Sequence, residues 1–271
     1  MNKLVNGLLL LLVSTCVWCD PVDEIIETAG ITRSLDSIES QLLRGFRAGL
    51  AQTPADSATR EEMMQELQAQ FAPGIFQAHV HRKISATLLE PDHAELMAWY
   101  SAPLGKKITS YEIAAIEPEQ ISKMTAMVDR LVADEARMRI AARMDELLDS
   151  TDQNIELARA SQTAILEGML GKEDAARFML QMDEALDQNR AEMERLVHAS
   201  MVFIYQDLTR DELEQYIGFL ANPSAQRLYQ AAQVGLIEYV ALSFEQVGSL
   251  LRRKLEMPVT GLQEHAVVHH R

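Results

Sequence analysis

Along most of the chain, apolar residues recur every three or four positions. Leu35, Ile38, Leu42, Phe46 and Leu50 form one stripe, and Ile121, Met124, Val128 and Leu131 form another. Ile140, Met144, Leu147 and Leu148 continue the theme, and Leu236, Val240, Phe244, Val247 and Leu251 mark a long last helix. Steps of three and four place side chains on one face of an α-helix, which can then be buried against other helices. No stretch alternates β-branched and polar residues between turn pairs, so strands are not expected. The predicted fold class is all-α: two related multi-helix units in tandem, joined by a long helical connector, with no sheet.

Punctuation divides this pattern into elements. Gly30 is expected to end a short first helix, and Thr59 with Glu62 reads as a capping box for a later one. Pro73-Gly74 interrupts the first half, whereas Ala191 to Gln206 runs unbroken in the second. Pro118 marks the stop of a helix opened by Pro103, and the connector is placed from Glu119 to about Asp149. Gly171 separates two further helices, Pro258 closes the last one, and Thr260 to Arg271 reads as a loose tail.

The chain also repeats itself. Leu208-Thr-Arg-Asp-Glu-Leu213 leads to Phe219, Asn222-Pro223 and Ala225-Gln-Arg-Leu228. About 120 residues earlier stand Leu88, Trp99, Ala102-Pro103 and Gly105-Lys-Lys-Ile108 in the same order. The starts agree too, Asp23-Glu-Ile-Ile-Glu27 with Asp145-Glu-Leu-Leu-Asp149. An internal repeat constrains architecture before any single residue does. It divides the chain into residues 20–130 and 131–257, between a leader at 1–19 and a tail at 258–271.

In the second copy, Thr209 is the expected N-cap, Glu212 its third-position partner and Leu208 a hydrophobic staple. Leu213, Tyr216, Ile217 and Leu220 then face inward. Asn222 caps the next helix, Pro223 opens it at no cost in hydrogen bonds, and small Ala225 admits a neighbour. The first copy departs at its start, because Leu89 falls where the capping threonine should be. Its helix is placed from Glu90-Pro91, with Glu90 as cap. Trp99 and Phe219 are expected to be largely buried in equivalent places.

Leu208, Thr209, Glu212, Leu213, Phe219, Pro223 and Ala225, and again Trp99, Tyr100, Pro103, Gly105 and Lys107, resemble the hallmark of a bacterial family. That hallmark is Leu-Thr-x-x-Glu-Leu followed by Phe-Tyr-x-Ser-Pro-x-Gly-x-Lys, and the family is catalogued only as a domain of unknown function. Its members typically carry export signals. The resemblance implies an exported helical protein with two copies of the signature and carries over no activity.

The amino terminus agrees with export. Lys3 precedes Leu4 to Val13, apolar apart from Asn6 and Gly7, and Val17-Trp-Cys19 leads to Asp20. This is the pattern of a signal peptide too short to span a bilayer, with cleavage after Cys19. Lipid attachment at Cys16 is the alternative. Removing residues 1–19 removes both cysteines, so stability must come from the core rather than disulfides. It also removes Lys3, taking the formal net charge from −15 to −16. Both halves are acidic, which excludes a phosphate-backbone partner because binding would meet repulsion.

Candidate chemistry is sparse. His79 and His81 point roughly 200° apart on a helix, and His93 lies twelve residues farther on, so no chelating face forms. His265, His269 and His270 lie in the tail. Glu61-Glu62, Asp134-Glu135 and Asp183-Glu184 read as solvated faces among 40 carboxylates. No phosphate loop, nucleophile elbow or zinc-protease motif is present, so no catalytic, cofactor-binding or metal-ligating residue is assigned. Methionines such as Met97, Met144 and Met201 fill helical runs as core residues or adaptable contacts. Lys106, Lys107 and Arg227 recur beside the helices opened by Pro103 and Pro223 and form the one candidate surface, for an anion. The expected protein is an exported helical binding or assembly module of the bacterial envelope space. Its partner would be a protein or an apolar ligand, with no cofactor and no stable membrane span after cleavage. The alternative is a binder of an apolar small molecule or lipid in an inter-helix cleft, and a hydrolase ranks last.

Overall fold

The computed structural model describes residues 20–71 and 74–255; the leader, Pro73, Pro258 and the tail fall outside them. Among the described residues there are thirteen helices and no strand, so the fold is all-α. The first six are α1 (Pro21–Thr28), α2 (Ile31–Leu50), α3 (Ser57–Gln70), α4 (Ile75–Thr87), α5 (Glu90–Ser101) and α6 (Pro103–Ala115). Next come α7 (Pro118–Val132), α8 (Glu135–Leu148), α9 (Ser150–Leu170) and α10 (Lys172–Gln188). The last three are α11 (Arg190–Ile204), α12 (Arg210–Leu220) and α13 (Pro223–Lys254).

Two expected boundaries need correction. The connector is not one helix: it breaks at Ala133-Asp134, where the Asp134 carboxylate accepts the Arg137 amide at 3.1 Å and starts α8. A capping aspartate outcompetes helix continuation at that point. The start of α3 is capped by Asp56, which accepts the Thr59 amide at 2.8 Å, so Thr59 lies inside the helix rather than at its cap. Two tight joints share one conformation. Gly30 (φ 72°) between α1 and α2 and Asp149 (φ 56°) between α8 and α9 are both left-handed, the region that glycine enters freely and aspartate tolerates.

The long helix α13 is the spine of the fold. It packs along α9 on one side and against α4 and α3 on others. Its crossing with α9 is close because two glycines meet there. A Cβ on Gly248 would lie 2.1 Å from the Ile165 carbonyl oxygen, and one on Gly168 would lie 2.2 Å from that of Glu245. By length and composition α13 could cross a membrane. In the fold, Leu228, Ala231, Tyr239, Val247 and Leu250 along it are buried. Most of the buried apolar residues form one cluster that draws on both halves, from Val22 to Leu250.

Candidate functional site

The two motif bends come together in space. Each is a helix, a short break and a helix opened by proline at its first position, where the missing amide costs nothing. Thr209 and Glu212 form the expected capping box: the Glu212 carboxylate accepts the Thr209 amide at 2.8 Å, and the Thr209 hydroxyl accepts the Glu212 amide at 3.3 Å. In α5 the cap position is Leu89, and Glu90 is the first helical residue, correcting the expected Glu90 cap. Leucine cannot accept a hydrogen bond, so only the return half exists, from the Leu89 amide to Asp92 at 2.8 Å. Gly105 is required by contact: a Cβ there would sit 2.1 Å from the Trp99 carbonyl oxygen. Ala225 is fully buried at the corresponding place.

Trp99 lies flat on Phe219, with ring centroids 4.3 Å apart and planes 4° from parallel, and Tyr216 lies 6.0 Å from the indole. Phe219 is buried, but Trp99 is only partly so, which corrects the expectation of two enclosed rings. Stacking covers one face of the indole and leaves other surface accessible. Around this stack the charges are exchanged. Lys107 donates to Glu212 at 2.7 Å, and Arg227 grips Asp92 with two donors, Nε to Oδ2 at 2.8 Å and a second to Oδ1. Each carboxylate that caps one copy thus receives a cation from the other. Arg227 holds the buried Asp92 carboxyl well below the usual carboxylate range, with help from the Leu89 amide and Ser224 hydroxyl. Lys107 and Arg227 are therefore half-buried and engaged in ion pairs between the two bends, while Lys106 is exposed. An anion at the expected surface would have to displace Glu212 and Asp92.

Beside the bends, α6 sends Glu112 into a group of phenols. Its Oε1 accepts the hydroxyls of Tyr205 at 2.7 Å and Tyr216 at 2.6 Å. Tyr229 lies 3.4 Å from the Tyr216 hydroxyl, and Tyr100 donates to Tyr229 at 3.4 Å. Part of the Glu112 residue reaches the surface, yet its carboxyl is surrounded by protein, and that desolvation raises its pKa. Burial likewise raises the tyrosines far above 10.

A second polar arrangement occurs twice. In α8 and α11, Asp145 accepts His198 Nε2 at 2.9 Å, the Thr151 amide at 2.8 Å and the Thr151 hydroxyl at 2.5 Å, all buried. In α1 and α4, Asp23 Oδ1 stands 2.7 Å from His81 Nε2, yet Nε2 is left without a hydrogen bond. The first arrangement is closed, whereas the second opens on a groove of about 890 Å3 between α1, α2 and α4. Its apolar floor includes the buried Ile26, Leu35 and Val80. Its rim carries Asp23, Glu24 and Glu27, all exposed, and His81. The match of Asp23 with Asp145 is legible in the chain, whereas the histidine that faces each aspartate is not. The available signal was a histidine in the helix before each signature, His79 or His81 in α4 and His198 in α11, and spacing alone does not choose between the first two. Ser85 lies 3.3 Å from His81 Nδ1, one turn along α4, but it is exposed and does not line the groove.

His79 and His81 serve different partners, His79 lying 3.3 Å from Glu238 on α13. Among the described residues no group of three His, Cys, Asp or Glu side chains gathers as a metal site. In comparisons with protein-family models, curated proteins and solved structures, nothing matches this chain.

Proposed function

We propose that the chain is an exported, non-enzymatic binding module of the bacterial envelope space, built from two related six-helix units. In this reading α1–α6 corresponds to α8–α13, with α7 as the link. Three observations support the pairing: the left-handed joints at Gly30 and Asp149, the prolines opening α6 and α13, and the reciprocal pairs Lys107–Glu212 and Arg227–Asp92. Export rests on the leader. Cleavage after Cys19 would leave Asp20, which caps α1 by accepting the Val22 amide at 3.0 Å, as the first mature residue. Mass spectrometry of the protein from its native host should find Asp20 first. An intact Met1, or a diacylglycerol on Cys16, would refute that cut.

The binding element is the groove between α1, α2 and α4, and its makeup carries the proposal: an apolar floor beneath a rim of three exposed carboxylates. Apolar floors with a few placed polar groups are the usual makeup of ligand sites. The complementary occupant is a protein segment with one apolar face and positive charge, such as a basic amphipathic helix. A synthetic Leu/Lys amphipathic peptide should bind, more weakly at high salt, and a Leu/Glu peptide of the same pattern should not. Glu24→Lys with Glu27→Lys should weaken the Leu/Lys peptide about tenfold or more while the fold is kept. Equal binding to wild type and variant would remove the groove from the mechanism.

A further inference from the structure

A cleft of about 430 Å3 lies between α8 and α12. Its apolar lining comes from the buried Leu213 and the half-buried Ile140. Four arginines line it as well: Arg137, Arg139, Arg143 and Arg210. Two carboxylates face them, Asp134 and Glu214, which leaves an excess of two positive charges in a chain of formal net charge −15. Helical spacing gathers these groups. Arg139 and Arg143 lie one turn apart on α8, and Arg210 and Glu214 lie one turn apart on α12.

The four guanidinium groups are not equally engaged. Arg143 donates to Glu214 at 2.9 Å and ties the two helices together. Arg137 donates to the carbonyls of Tyr205 at 3.1 Å and Leu208 at 3.3 Å, which fixes its position without cancelling its charge; the Asp134 carboxylate stands 3.8 Å away and caps α8. Arg139 has Glu135 at 3.7 Å, an exposed pair within one helix that contributes little. Among the described residues no carboxylate lies within ion-pair distance of Arg210. Arg210 is also the first residue of α12, where a cation meets the positive end of the helix dipole. The caps Asp134 and Thr209 already take a first-turn amide of each helix, so recognition in this cleft falls to the side chains.

We propose that this cleft binds a small organic dianion of the phosphate-monoester class, its head on Arg139 and Arg210 and its apolar body on Ile140 and Leu213. An excess of two positive charges matches a phosphate monoester, which carries about −2 at neutral pH and offers three acceptor oxygens. Guanidinium groups pair with such a head in bidentate fashion. Exposed charges act over about 8 to 10 Å at physiological salt, so a small ligand meets the local excess, whereas a long phosphate polymer would also meet the acidic remainder of the chain. The site is independent of the groove formed by α1, α2 and α4. The test is calorimetric titration of the mature full chain with phenyl phosphate and with phenylacetate, a monoanion. Phenyl phosphate should bind saturably at one per chain, and phenylacetate about tenfold more weakly or less still. Arg139→Gln with Arg210→Gln should weaken phenyl phosphate about tenfold or more. The unliganded variant should melt like wild type, because both side chains are exposed. Arg210→Gln alone serves if the double variant fails to fold. Lys106→Gln, exposed at the surface first expected to take an anion, should leave binding unchanged. Absence of saturable binding, binding that survives the arginine substitutions, or an equal loss in Lys106→Gln would overturn the proposal. So would equal affinity for the two ligands, because the cleft would then not select a dianion.

Discussion

Glu112 illustrates how a single carboxyl can set the direction of a stability profile. Desolvation raises its folded pKa above the ordinary value of 4.5, so the folded state holds a proton that the unfolded chain releases. A carboxyl with a raised folded pKa contributes most below about pH 4.5 and loses that contribution as pH rises toward its folded value. Asp92 acts in the opposite sense and lower window: its depressed pKa stabilises above about pH 3.8, and the contribution is lost on further acidification. Glu112→Gln keeps one oxygen to accept both phenols and removes the titration. Melting temperatures measured between pH 4.5 and 7 should therefore rise on acidification in wild type more than in this variant. A parallel pair of profiles would place the proton elsewhere. Phe219 belongs to the same neighbourhood and bears on packing. Its contact with Trp99 and its burial predict a cost of about 3 to 5 kcal/mol for Phe219→Ala in chemical denaturation.

The elements are held by their ends as much as by their faces. The Thr209–Glu212 box satisfies the first turn of α12, so Thr209→Ala should cost about 1 kcal/mol by denaturant melt. Pro223→Ala should cost less, because a first-turn proline acts mainly by restricting the unfolded chain. In α5 a leucine fills the cap and Asp92 does both the capping and the pairing with Arg227. The motif is thus the same in outline while its polar chemistry is divided differently between the copies. Cap positions are the least legible part of these elements in the sequence. Asp56 lies three residues before the expected cap at Thr59, and Asp134 caps a helix in the middle of the expected continuous connector, since any short polar side chain is a competing cap.

At the scale of the whole molecule, the halves share one core. Trp99 on Phe219, Lys107 with Glu212, Arg227 with Asp92, and α4 against α13 all cross between them. Residues 20–255 should accordingly unfold in a single calorimetric transition, and residues 20–132 expressed alone should show no cooperative melt. Two separate transitions, or a stable isolated half, would mean that the cross-half contacts are dispensable. The same sharing explains why the expected surface at Lys107 and Arg227 is engaged: the duplicated cations meet duplicated carboxylates.

The apolar spacing, the prolines at 103 and 223, the glycine at 30 and the Thr209 box were legible in the chain, because each acts through its immediate neighbours. A helix stripe, a helix-opening proline or a cap depends on residues within one turn, and local order is enough to read it. The stack of Trp99 on Phe219, the phenols around Glu112, the closed Asp145–His198 pair and the open Asp23–His81 pair depend on residues 53 to 120 positions apart. Their partners are chosen by how α-helices cross, and crossing is set by packing across the core rather than by local spacing. The groove and the arginine-lined cleft belong to that second group, since a cavity is the space that packed helices leave between them, and no residue encodes it alone.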